Sequence, residues 1–87
     1  MKVHELKIKH EYCIQIVVGA KSFEIRKNDR NFQSGDILHL KEIDDETGEY
    51  TGFELFVKVN HLHSGLGMQE GYVCMSIKKV RIEEERR

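Results

Sequence analysis

Cysteine is scarce in this 87-residue chain. Cys13 and Cys74 lie far apart, each in apolar surroundings, and no Cys-x-x-Cys pair occurs. That excludes a disulfide scaffold and predicts two buried free thiols in a reducing, cytoplasmic compartment. No apolar run approaches the roughly 20 residues of a membrane span, so a membrane protein built on helices is excluded. The opening residues Met1-Lys2-Val3-His4-Glu5 turn polar at once, so no secretory leader is expected. Aromatic residues are few, with three tyrosines and no tryptophan, too few stacking platforms for a long single-stranded nucleic-acid track. Net charge is also nearly absent, at −1, which argues against a generic polyanion binder. Repeats, low-complexity segments and linkers are missing as well. The length suits one domain over residues 1–80, with a charged tail over 81–87 expected to fray.

What charge there is lies unevenly. Lys21, Arg26, Lys27 and Arg30 outweigh Glu24 and Asp29 in one stretch, whereas six acidic residues and no base occupy 42–54. Such asymmetry can orient a ligand, and it is also common on solvated surfaces.

The basic stretch organises the chain. Phe23 and Ile25 alternate with Ser22, Glu24 and Arg26 at the period of a strand. Hydropathy assigns Phe23 and Ile25 to the core and Glu24 and Arg26 to a sheet surface. A polar loop follows, anchored to the core by Phe32, and Ser34-Gly35-Asp36 turns into a strand over 37–43. Before it, residues 4–8 read as a strand with Val3, Leu6 and Ile8 as an imperfect buried set. Residues 9–18 are ambiguous. Tyr12/Ile16 and Cys13/Val17 are i, i+4 pairs ahead of Gly19, as in a helix, yet Ile14-Gln15-Ile16-Val17-Val18 is rich in β-branched residues. A long hairpin through the turn-rich 44–52 leads to a strand over 53–59, where Phe56 on the second face suggests burial from both sides. A glycine loop over 64–71 precedes a closing strand over 72–80.

Three segments carry a family resemblance: His4-Glu5-Leu6-Lys7-Ile8, Gly19-Ala20-Lys21-Ser22-Phe23-Glu24-Ile25-Arg26 with Lys27-Asn28-Asp29-Arg30, and Glu46-Thr47-Gly48-Glu49-Tyr50-Thr51-Gly52. Together with the Gly35-Asp36-Ile37-Leu38 turn they resemble the ASCH domains of the PUA-like superfamily, and more closely the DUF3850-type bacterial and phage proteins. The resemblance covers about residues 4–77. It implies an α+β fold, a small curved β-barrel of five to six strands with one or two short helices, and favours a helix over 10–18. It also implies a cleft that holds RNA or a nucleotide-like small molecule.

The resemblance places that cleft over Lys21, Glu24 and Arg26. Arg26 would offer a planar fork of donors and Glu24 an acceptor, the two halves needed to read a base edge or hold a phosphate; on a solvated face the same residues form an ordinary ion pair. Ser22, Lys27, Asn28 and Arg30 are candidate contacts to a phosphate backbone, and Tyr72 to a base, with the glycine loop closing over it. Tyr12 is expected in the core. Binding is the leading function expected, without cofactor, metal or membrane. The alternative is an amidohydrolase acting on an acylated nucleoside, with Lys21 and Glu24 as its catalytic pair. The enzymes that act this way carry a hydroxyl nucleophile where this chain has Glu24, and a further acidic residue with no match here. A second alternative is a bacterial or phage accessory domain that binds protein through a barrel edge. His61 and His63 at i, i+2 lack a carboxylate spaced to complete a metal site with them.

Overall fold

The computed structural model describes residues 1–80; the charged tail lies outside the described residues. The chain runs β1 (Val3–Lys9), α1 (His10–Val17), β2 (Phe23–Lys27), β3 (Ile37–Ile43), β4 (Tyr50–His63) and β5 (Tyr72–Val80). One mixed sheet holds all five strands in the order β1-β3-β4-β5-β2, with β1 parallel to β3 and every other pair antiparallel. This is a small α+β fold, and among the described residues no helix is long and apolar enough to cross a membrane.

The sheet curls without closing into a barrel. Its two edges, β1 and β2, face each other across a gap, and no backbone ladder joins them. Side chains bridge the gap: Arg26 Nη2 donates to the Lys7 carbonyl at 2.6 Å, and Arg30 Nη1 to the Glu5 carbonyl at 3.3 Å. Glu5 and Lys7 are two residues apart, so their carbonyls face the same edge. Two arginines thus cover an edge that would otherwise be open to pairing. Among the described residues the five strands and one helix lie within the expected range, and the expected barrel is corrected to an open sheet.

The core is the concave face. His4, Leu6 and Ile8 of β1 face it with Leu38, Leu40 and Glu42 of β3 and Val57 and Val59 of β4. β5 contributes Val73, Met75 and Ile77. Each fully buried aliphatic side chain here contributes on the order of 1.5–3 kcal/mol. At Asn60 a bulge inserts an extra residue into β4, so that Leu62 returns to the core opposite Met75. Phe56 takes the outer face, and its partial burial comes from the His39 ring stacked on it at 4.2 Å, not from a second layer.

In α1, Cys13 and Ile16 are the buried pair, while Tyr12 and Val17 stay exposed. Gly19 ends the helix at φ +86°, and its amide donates to the Ile16 carbonyl at 3.1 Å. The Lys21 amide then returns to the Gln15 carbonyl at 3.0 Å, fixing Lys21 beside the helix end.

Two buried acids tie the elements together. Asp36 is 2% exposed and accepts from His4 Nε2 at 2.8 Å and from the amides of Lys2 and Gln33 at 3.0 Å each. The His4 ring meets Phe32 edge-on at 4.8 Å, and Phe32 anchors its loop as expected. Glu42 accepts from Thr51 Oγ1 at 2.7 Å and pairs with His10 Nδ1 at 2.8 Å, joining α1, β3 and β4. The Cys13 thiol lies against the same carboxylate; burial and that negative charge push it up to about 11, so it is an inert structural thiol. Cys74 is only half-buried because it falls on the outer face of β5.

The Glu42 cluster makes stability depend on pH. The Thr51 hydroxyl bond, followed by His10, holds the Glu42 carboxyl below its ordinary value against the cost of burial. Glu42 raises the exposed His10 imidazole above 6.5. Glu42 therefore stabilises the fold above its ordinary carboxylate range, and that contribution is lost as pH falls through its lowered pKa. The contribution of His10 is present below 6.5 and is lost as pH rises through its raised pKa. The stability advantage of the native chain over His10→Gln should fade as pH climbs through that upper transition. An imidazole NMR titration placing His10 at or below 6.5 would contradict this coupling.

Candidate functional site

β2 shows the alternation expected of it, with the opposite face inward. Glu24 is 5% exposed, whereas Phe23 and Ile25 are 42% and 49% exposed. The register with β5 fixes this parity: Glu24 lies opposite the buried Met75, and Ile25 opposite Cys74 on the outer face. Glu24 can face inward because each of its oxygens has a cationic donor. Lys21 Nζ donates to Oε1 at 2.8 Å and Arg26 Nε to Oε2 at 2.7 Å. A paired and hydrogen-bonded carboxylate can be buried where an isolated one cannot.

This triad is the floor of a pocket of about 650 Å³ at the seam where the sheet edges face each other. Its walls are largely apolar: Ile8 of β1, Tyr12 of α1, Phe23 and Ile25 of β2, and Ile43 of β3. The Lys21 ammonium sits between two rings, 5.5 Å from the Tyr12 centroid and 4.9 Å from that of Phe23. An apolar cleft with a few convergent polar groups has the general form of a small-molecule site, and its volume falls in the range of roughly 300–1,000 Å³ usual for one.

Hydrogen-bond capacity sets what the floor can offer. Lys21 donates to Glu24 and to the Phe23 carbonyl at 2.8 Å, two of its three N–H bonds. Arg26 commits two of its five, one to Glu24 and one to the Lys7 carbonyl. Donors therefore remain on both cations, while each Glu24 oxygen already accepts. With two cations and one carboxylate, the floor is net positive and suits a ligand that presents acceptors or negative charge.

Of the residues singled out from sequence, Lys21, Glu24 and Arg26 converge here. Arg30 lies in an adjoining groove with Glu5, Leu6, Lys7, Arg26 and Tyr50. Ser22, Lys27 and Asn28 do not line the pocket. Ser22 is exposed at the start of β2, and Asn28 Oδ1 accepts the Phe32 amide at 3.0 Å, a loop-forming role. Tyr72 pairs with Lys27 at the far end of β2 and stays outside the pocket, as does the 64–71 loop. That loop docks instead on the end of β2, where the Asn28 amide meets the Gly71 carbonyl at 2.8 Å. Tyr12, expected in the core, is instead an aromatic wall of the pocket with Phe23. Lys7 and Lys9 were missed as well; the polar members of the β1 alternation were the available signal.

Four of the five histidines have other partners: His4 on Asp36, His10 on Glu42, His39 on Glu54 at 2.6 Å, and His63 Nε2 on the Leu66 carbonyl at 2.8 Å. Among the described residues no group of three His, Cys, Asp or Glu side chains could hold a metal ion.

The fold agrees with known structures. The crystal structure of hypothetical protein PH0355 superposes with a TM-score of 0.59 over 92% of this chain and 100% of its own, at 22% identity, a likeness of fold alone. In sequence, an uncharacterized 12.9 kDa protein in the GpA 3′ region of Escherichia phage P2 is 32% identical over 74 residues. That match takes in 85% of this chain and 66% of the phage protein, so the chain spans just under two thirds of that relative's length. Residues 3–77 match the family described as domain of unknown function DUF3850, and the chain belongs to that family.

Proposed function

We propose that this chain is an ASCH-type, PUA-like module that binds RNA or a nucleotide-like ligand in the seam pocket. The observation that carries this function is the buried Glu24, held between Lys21 and Arg26 beneath Tyr12 and Phe23. A base has two π faces and an edge of hydrogen-bonding groups. The rings offer contact to its face, and the donors left on Lys21 and Arg26 suit acceptors on its edge or a neighbouring phosphate. The volume suits one nucleotide rather than a strand, in keeping with the scarcity of tyrosines.

One observation favours amide hydrolysis as a second function: Lys21 and Glu24 are in direct contact at 2.8 Å, the two positions the resemblance singles out. Chemistry through Glu24 would require an incoming group to reach the remaining lone pairs of a carboxylate that is 5% exposed and already bonded to Lys21 and Arg26, which weighs towards binding.

The test is fluorescence anisotropy with a pool of labelled short single-stranded RNAs at low salt, where phosphate contacts are strongest. Arg26→Ala should weaken binding at least tenfold while the dispersed amide spectrum of the folded domain persists. Equal binding by the native chain and Arg26→Ala would overturn the assignment. Turnover of acylated nucleosides that Glu24→Gln abolishes, with their binding unchanged, would establish the hydrolase instead.

A further inference from the structure

We infer that the groove beside the pocket is a phosphate subsite, so that the ligand is a nucleotide or oligonucleotide and not a free nucleoside. This inference rests on the proposed function of the pocket and adds a ligand class to it. The two concavities share Lys7 and Arg26, so one molecule can occupy both. Arg26 is the divider: its Nε holds Glu24 in the pocket floor, while its Nη2 reaches the Lys7 carbonyl at the groove.

The groove has cations to spare. Among the described residues, Lys7 and Arg30 form no ion pair. The nearby carboxylate, Glu5, is turned towards Lys41 at 3.6 Å and His39 at 3.7 Å. Arg30 is tied to the groove wall only by a long 3.3 Å bond to the Glu5 carbonyl, which leaves most of its guanidinium fork available. Lys7 and Lys41 lie over the Tyr50 ring at 5.7 and 4.8 Å, so the aromatic floor gathers positive charge without neutralising it. A phosphate between Lys7, Arg26 and Arg30 would be held by charge-assisted, partly bidentate bonds. The base of the same nucleotide would lie across the Arg26 divider.

Calorimetric titrations with the four ribonucleosides, their 3′- and 5′-monophosphates and the matching dinucleotides, at low salt, test this directly. The inference expects phosphorylated ligands to bind roughly tenfold or more tightly than their nucleosides. Arg30→Ala should erase that increment without changing nucleoside affinity, and Arg30→Lys should restore part of it. An increment seen with monophosphates identifies a mononucleotide site, and one seen only with dinucleotides identifies a strand; both support the subsite. Equal affinity for nucleosides and nucleotides overturns the subsite and leaves the pocket's function standing, as does an equal loss for both in Arg30→Ala. No binding by any of these ligands overturns both.

Discussion

Asp36→Ala should lower the unfolding free energy by about 3–5 kcal/mol, because it leaves three donors without the charged acceptor that satisfies them, at roughly 1–3 kcal/mol each. For a domain of this size that corresponds to a fall in Tm on the order of 15 °C or more. Asp36 is 2% exposed and accepts three hydrogen bonds, from the His4 ring and from the amides of Lys2 and Gln33. Alanine leaves His4 buried against Phe32 without its acceptor and frees the turn that launches β3. Burial alone would raise the Asp36 carboxyl; the bonds from His4, Lys2 and Gln33 outweigh it and hold the group below its ordinary value. The stabilisation is therefore present above the ordinary carboxylate range and is lost as pH falls through the lowered pKa. Urea unfolding at neutral and acidic pH would show the difference between native and Asp36→Ala chains shrinking in acid. A loss below about 1 kcal/mol at neutral pH, no more than an ordinary net hydrogen bond contributes, would contradict this role.

Glu24→Leu should affect both stability and binding. Leucine fits the buried position but removes the acceptor shared by Lys21 and Arg26, leaving two cations facing each other in the pocket floor. Their side chains are 11% and 25% exposed, so water and rotation relieve part of the repulsion. A loss of about 2–3 kcal/mol is expected, below the full cost of breaking a wholly buried pair. Ligand affinity should fall at least tenfold, because Arg26 loses the contact that aims its fork. Glu24→Gln keeps the shape, but its amide nitrogen must face one of the two cations, donor to donor, and should weaken binding with a smaller cost in stability. Unchanged stability and affinity in Glu24→Leu would mean that the triad does not organise the pocket.

The inverted face of β2 shows how far sequence reaches here. The period-2 pattern Phe23-Glu24-Ile25-Arg26 defined a strand, yet alternation does not say which face turns inward. Hydropathy chose Phe23 and Ile25, whereas inside the curl the strand forms the floor of a polar-bottomed pocket. Three residues of the candidate site, Lys21, Glu24 and Arg26, were legible through the family resemblance, which lays a cleft over these six positions; their spacing alone is equally that of a surface ion pair. Tyr12, Lys7 and Ile43 were not legible, since their convergence depends on the two sheet edges facing each other across the fold.

Long-range pairing accounts for the other differences. In β1 the strict alternation His4-Leu6-Ile8 is the buried set, but a histidine enters a core only with an acceptor, and Asp36 lies 32 residues away. The Asn60 bulge, which carries β4 on to His63, has no local mark. Nor does the choice between a closed barrel and an open sheet, whose facing edge Arg26 and Arg30 cover by reaching the β1 carbonyls. The helix before Gly19 was favoured by the family resemblance over the β-branched run of 14–18, and two turns from His10 to Val17 form there.

The most direct test of the pocket as a ligand site is an amide NMR titration of the labelled chain with short single-stranded RNA and with mononucleotides at low salt. Saturable shifts at Lys7–Lys9, Tyr12 and Lys21–Arg26 are predicted, with the 64–71 loop and Tyr72 unchanged. No shifts, or shifts confined to residues away from the seam, would contradict it.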